Sequence, residues 1–170
     1  MKIKKFLQKC FKKFFQLLFK IFYGNIKLNL DLNSIKLLER KKILNIKSDI
    51  DGVKDYYVYK IKNGRVYTDY VNHVAILSKN DLVGKISYQQ IHGELKDPSK
   101  NTVLTKGTPA IKKKFKGKVL SIVQGASGNN YGHWLIEMLP KIKLCSEHFP
   151  IENINYFYTP NLNNFHKETL

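Results

Sequence analysis

The chain has 170 residues, 43% hydrophobic and 25% charged, with 30 Lys+Arg against 13 Asp+Glu and a formal charge of +17. That length allows one ordinary domain, or a domain with a tail, and the apolar fraction excludes a wholly disordered chain. No apolar run approaches the roughly 18–20 residues of a spanning helix, and two isolated cysteines, Cys10 and Cys145, exclude a disulfide framework or a Cys-rich zinc site.

The charge invites a nucleic-acid reading, but its make-up argues against one. Arg40 and Arg65 are the only arginines, and lysine lacks the planar fork on which base and phosphate recognition lean. Lys, Ile and Asn supply 60 of the 170 residues, the bias of an AT-rich coding sequence. No specific nucleic-acid partner is expected, and the cysteine usage suits a reducing, cytoplasmic setting.

Residues 1–24 read as a separate unit, an amphipathic basic helix. Ile3, Phe6, Leu7, Cys10, Phe11, Phe14, Leu17, Leu18 and Ile21 recur at helical spacing, while Lys5, Lys9, Lys12 and Lys13 fall on the opposite side. Seven lysines and no acid, set against an aromatic-rich stripe, fit the plane of an anionic membrane surface, with Lys5, Lys9, Lys12, Lys13, Phe11 and Phe14 as its contacts. The competing reading is a helix packed on its own domain. A signal peptide fits less well, because Gln16 and Lys20 interrupt the apolar stretch and no small-residue cleavage site follows.

Residues 25–55 lack clear periodicity and read as an irregular linker with a short helix near 34–42. Residues 56–118 read as a small antiparallel meander followed by loops. Asn63-Gly64 marks a type I′ hairpin between 56–61 and 66–69, placing Ile61 opposite Val66, Tyr59 opposite Thr68 and Tyr57 opposite Tyr70. Strands over 74–77 and 82–87 follow, joined by a turn at 78–81. The run from Lys112 to Lys118 is either a solvated basic turn or a phosphate or lipid-headgroup contact.

Residues 119–170 read as the start of an α/β unit. An apolar strand, 119–123, leads through a glycine-rich loop to a helix from about Gly132, and a second strand, 154–158, precedes another helix near Asn163. Strand, loop, helix and strand in this order make a βαβ unit and hence a parallel sheet. Two parallel strands alone cannot cover both faces, so the chain reads as the front part of something larger.

The chemistry-bearing residues cluster at the start of that helix. His133 and Glu137 stand at i and i+4, where an imidazole serves as general base or holds a substrate hydroxyl and a carboxylate orients it. Free N–H groups there, capped by Asn129 or Asn130, hold an anion. Each has a plainer alternative: a His–Glu pair is as often structural, and Trp134 is more readily core than a stacking platform. The pair does not form HExxH, and no GxGxxG, P-loop or GxSxG pattern occurs, so no metal site is expected.

The stretch Asn130-Tyr-Gly-His-Trp-Leu-Ile-Glu-Met-Leu-Pro140 resembles the signature of the family 61 glycosyltransferases, bacterial members of which are called capsular polysaccharide biosynthesis proteins. Asn130, Tyr131, His133, Trp134, Leu135, Glu137, Leu139 and Pro140 match it. Gly132 replaces a usual aromatic and Lys141 a usual arginine. The resemblance implies a GT-B-type fold of Rossmann-like domains, of which 119–170 would be an incomplete first one. It also implies inverting transfer of a sugar from a nucleotide-sugar donor to a surface or capsular glycan acceptor. By that resemblance His133 and Glu137 are catalytic; Asn129, Asn130, Tyr131 and Trp134 are the residues expected to bind substrate, and no cofactor is expected on this part of the enzyme. The family's later elements, an arginine-containing strand region and a His-Gly-Ala-like loop, do not occur, so the chain reads as the N-terminal part of such an enzyme at the inner face of the membrane. The reading from a different class is a non-catalytic, membrane-surface saccharide-binding or adaptor module.

Overall fold

The computed structural model describes residues 2–35, 38–48, 52–68, 73–91, 94–123, 129–159 and 163–170. Helices and strands are mixed, with a small mixed sheet and a long N-terminal helix. That helix, α1 (Lys2–Tyr23), runs as the hydrophobic spacing requires and ends where Gly24 takes a left-handed backbone, φ +78°. No described helix is long and apolar enough to cross a membrane.

Residues 25–55, expected to be irregular, instead carry β1 (Lys27–Asn29) and β2 (Leu38–Ser48), and β3 begins at Gly52 and runs to Ile61. No helix forms over 38–42. β2 pairs antiparallel with β3 from Leu38 opposite Ile61 to Ser48 opposite Gly52. The ladder, and not an alternating side-chain pattern, makes this stretch extended, and periodicity cannot report a ladder.

The expected hairpin across Asn63-Gly64 does not form either. β4 (Arg65–Thr68) pairs with β5 (His73–Ser78), and no described ladder joins it to β3. A type I′ turn needs positive φ at both central residues. Asn63 has φ 54°, but Gly64 is not in that region, so the two strands part into different sheets. Tyr70, expected opposite Tyr57, lies outside the described residues.

The remaining meander is close to expectation. β5 turns through Lys79-Asn80 into β6 (Asp81–Val83), and Arg65 fixes that turn by donating to the Lys79 carbonyl and to Asn80 Oδ1 at 2.7 Å. The second strand is shorter than the reading of 82–87, because a 3₁₀ turn starts at Gly84, where an added Cβ would sit 2.6 Å from Leu30. β7 (Tyr88–Ile91) pairs with β5, β8 (Glu94–Leu95) pairs with β7, and β1 joins β6 in parallel. Ile26, Ala75, Leu77, Leu82 and Val103, the last from α2 (Thr102–Lys106), form the core beneath this sheet.

The C-terminal part has a core of its own. β9 (Val119–Ser121) and β10 (Tyr156–Tyr158) pair in parallel, as the βαβ reading expected. Asn155 sets their register: its Oδ1 accepts the Lys118 N–H at 2.8 Å and its own N–H donates to the Lys118 carbonyl at 2.9 Å. Between the strands run α3 (Tyr131–His133), a π turn (Trp134–Met138) and α4 (Leu139–Ser146), continuous as one helix. α5 (Asn164–Thr169) closes the unit.

Candidate functional site

Asn130 begins the site. In extended backbone (φ −123°, ψ 115°), it accepts the His133 N–H on Oδ1 at 3.2 Å, and its carbonyl accepts the Trp134 N–H at 3.0 Å. A free helix-start donor is thereby satisfied, as Asn at an N-cap does. Residues 124–128 of the glycine-rich loop lie outside the described residues.

The helix then widens into a π turn for an identifiable reason. Pro140 has no N–H to donate, and its ring crowds the carbonyl of the preceding turn, so a regular ladder cannot pass through it. The Leu139 N–H bonds to the Trp134 carbonyl, five residues back, and absorbs the mismatch. Wider turns of this kind gather at functional positions, and this one lies immediately under His133.

The two faces of the helix divide the candidate residues. Trp134 and Met138 are fully buried against Ile122, just beyond the end of β9. The Trp134 indole N–H donates to Thr169 Oγ1 at 2.8 Å, and the ring meets His166 edge-on at 4.6 Å between centroids. His166 Nδ1 accepts the Asn163 N–H at 2.9 Å, which completes a reciprocal cap on α5. Trp134 is therefore a core residue that presents no face to a substrate, contrary to its expected binding role. The side chain is too apolar to stay out when a closing helix offers Thr169 as a partner for its one polar atom.

On the outer face, His133 and Glu137 meet. Nδ1 and Oε1 are 2.7 Å apart, and both side chains are a little under half exposed, at 45% and 44%. In the tautomer that carries its proton on Nδ1, the ring donates to the Glu137 carboxylate and leaves the Nε2 lone pair facing outward. Tyr131 and Asn129 are exposed, and the Tyr131 ring rests on Phe165 at 5.3 Å. His133 and Glu137 thus share the outer face with Asn130 tied to them through the His133 N–H, whereas Tyr131 leans on Phe165, on the side of the buried Trp134.

Lys141, which stands where the resembled signature has arginine, extends this row by one turn. It is half-buried, with Nζ 3.7 Å from Met138 Sδ. Burial pushes its ammonium down to about 8, against the opposing attraction of Glu137. Its i+4 spacing from Glu137 and its basic place in the signature are legible in the sequence; its burial, set by tertiary packing, is not. Elsewhere, Lys5, Lys9, Lys12, Lys13, Phe11 and Phe14 are all exposed on α1, away from this row in sequence. Among the described residues, no three His, Cys, Asp or Glu side chains gather as a metal-ligand set.

No family model, curated protein or solved structure matches the chain. The functional reading therefore rests on the residues themselves.

Proposed function

We propose that the chain is the acceptor-side, N-terminal part of an inverting glycosyltransferase that works at an anionic membrane surface and builds a surface or capsular glycan. The observation that carries the proposal is the His133–Glu137 pair, 2.7 Å apart and open to solvent at the start of the helix that follows a parallel strand. The glycosyltransferase-like setting of those residues, from Asn130 to Pro140, supplies the reaction class.

In this proposal Glu137 holds the imidazole by Nδ1, and Nε2 is the base. The acceptor hydroxyl oxygen attacks the anomeric carbon while its proton passes to Nε2. The bond from that carbon to the diphosphate oxygen breaks, and the nucleoside diphosphate leaves with the electron pair. A single base and one displacement invert the anomeric centre. Lys141, one turn on, supplies positive charge beside Glu137. The Rossmann-like, GT-B-type architecture belongs to the same proposal, supported by the parallel β9–β10 pair and its crossover helix.

The membrane placement has a separate support. Ile3, Leu7, Phe14, Leu17 and Ile21 form a stripe 60–77% exposed along α1, more apolar surface than a helix leaves in water without a use.

The first test is saccharide binding by the whole chain, read by saturation-transfer NMR with a panel of capsular oligosaccharides. Wild type binds at least one of them, and His133→Ala weakens binding by about tenfold or more. Absence of binding across the panel, or equal binding by the variant, removes the site from the proposal.

A further inference from the structure

A groove of about 670 Å³ runs between α1 and the 106–111 loop, within the roughly 300–1,000 Å³ of small-molecule sites. It lies on a different side of α1 from the exposed stripe. Phe11, Phe15, Phe19 and Tyr23 form a ladder of rings along that side, with centroids 4.6, 6.0 and 5.8 Å apart. The first three line the groove, and Tyr67 and Ile111 face them from the body of the chain. The walls are not sealed against each other: Phe11 is 66% and Ile111 76% exposed.

The polar part of the groove is cationic. Lys12 and Lys106 line it, both exposed, and no acid is among the lining residues. Outside the groove's lining, Lys112 adds to the positive field on this side of α1: its ammonium lies 4.2 Å from the centre of the Tyr23 ring, close enough to Arg65 and Lys114 to feel both charges. Burial first, then those like charges, push its ammonium below the usual lysine range. An apolar slot edged by cations without a counter-charge complements an amphiphile with one long apolar chain and an anionic head.

We propose that this groove binds one molecule of a phosphate-headed lipid drawn from the membrane surface, its chain between the α1 ring ladder and Ile111 and its phosphate held by Lys12 and Lys106. The groove takes up Phe11 and Lys12, which the sequence alone assigns to the bilayer, but none of Ile3, Leu7, Phe14, Leu17 or Ile21, and no residue of the His133 surface. It rests on the proposed membrane placement only for the source of the lipid, and that placement is read separately below.

The test uses the whole chain and 1-oleoyl lysophosphatidate below its micelle concentration, by isothermal titration. Saturable binding of one lipid per chain is expected. Ala110→Trp, which fills the groove from an exposed loop position without changing charge, weakens it by about tenfold or more. Lys12→Glu with Lys106→Glu does the same, as does replacing the probe by uncharged monoolein. Ala110→Trp still pellets with phosphatidylglycerol vesicles as wild type does, because the stripe is intact. No saturable lysolipid binding, binding unaffected by both variants, or equal binding of monoolein overturns the proposal. So does inorganic phosphate competing as well as the lysolipid, since the groove would then contribute nothing. Loss of vesicle pelleting by wild type, with lysolipid binding retained, overturns only the membrane placement.

Discussion

Lys141→Met should stabilise the fold at neutral pH and lose that advantage in alkali. Lys141 is half-buried, and burial lowers its ammonium from 10.5 to about 8 despite the Glu137 carboxylate. Below about pH 8 the ammonium is charged in both the folded and the unfolded chain, so the cost of burying it is fully present. Between about pH 8 and 10.5 the unfolded chain holds the proton and the folded chain does not, so stability rises with pH through that window. The 2.5-unit difference between 10.5 and 8, at about 1.4 kcal/mol per unit, sets a ceiling of roughly 3–4 kcal/mol. Methionine keeps a straight chain of good helix propensity beside Met138 and removes the charge. The expected gain is about 1–3 kcal/mol near pH 7, shrinking towards zero by about pH 10.5. Urea unfolding followed by circular dichroism, wild type beside variant, measures it, and other titrating groups cancel in the difference. A less stable variant at neutral pH, or a gain that does not change with pH, would refute the burial argument.

Three further outcomes follow from the same geometry. Trp134→Ala should cost about 3–5 kcal/mol, since it empties the centre of the C-terminal core; a loss below about 1 kcal/mol in urea unfolding would contradict its placement there. Asn130→Ala should cost about 0.5–2 kcal/mol through the lost cap, and Asn130→Asp should restore most of it. Equal stability of Asn130→Ala and wild type would remove the cap. Leu7→Glu with Phe14→Glu should weaken vesicle pelleting by about tenfold or more, from about 1.5–3 kcal/mol per buried apolar side chain, and leave helix content unchanged. Undiminished pelleting would mean the stripe does not touch the bilayer.

What could be read from the sequence was local. The apolar positions of α1, the Asn130 cap, the i,i+4 spacing of His133 and Glu137 and the two β9–β10 strands all follow from periodicity or from one residue's chemistry. What could not be read depends on partners distant in sequence. Asn63-Gly64 signals a turn, but the strand beyond it pairs with β5, because Gly64 does not adopt the backbone a two-residue hairpin demands. β2 shows no alternation because its extended form comes from its ladder with β3. The π turn has a local cause in Pro140, although the sequence reading treated the stretch as regular helix. Trp134 and Lys141 depend on tertiary packing: the arrival of α5 buries the indole, and the shoulder of the helix desolvates the ammonium.

The anomeric configuration of the product tests the central claim most directly. Under the proposed function, proton NMR of the glycan formed from a nucleotide sugar, with wild type and His133→Ala side by side, reads both stereochemistry and rate. A single base at His133 Nε2 predicts an anomeric centre opposite to that of the donor, with transfer by His133→Ala lower by about 10²–10⁴-fold. A product that retains the donor configuration, or a variant as fast as wild type, would contradict it.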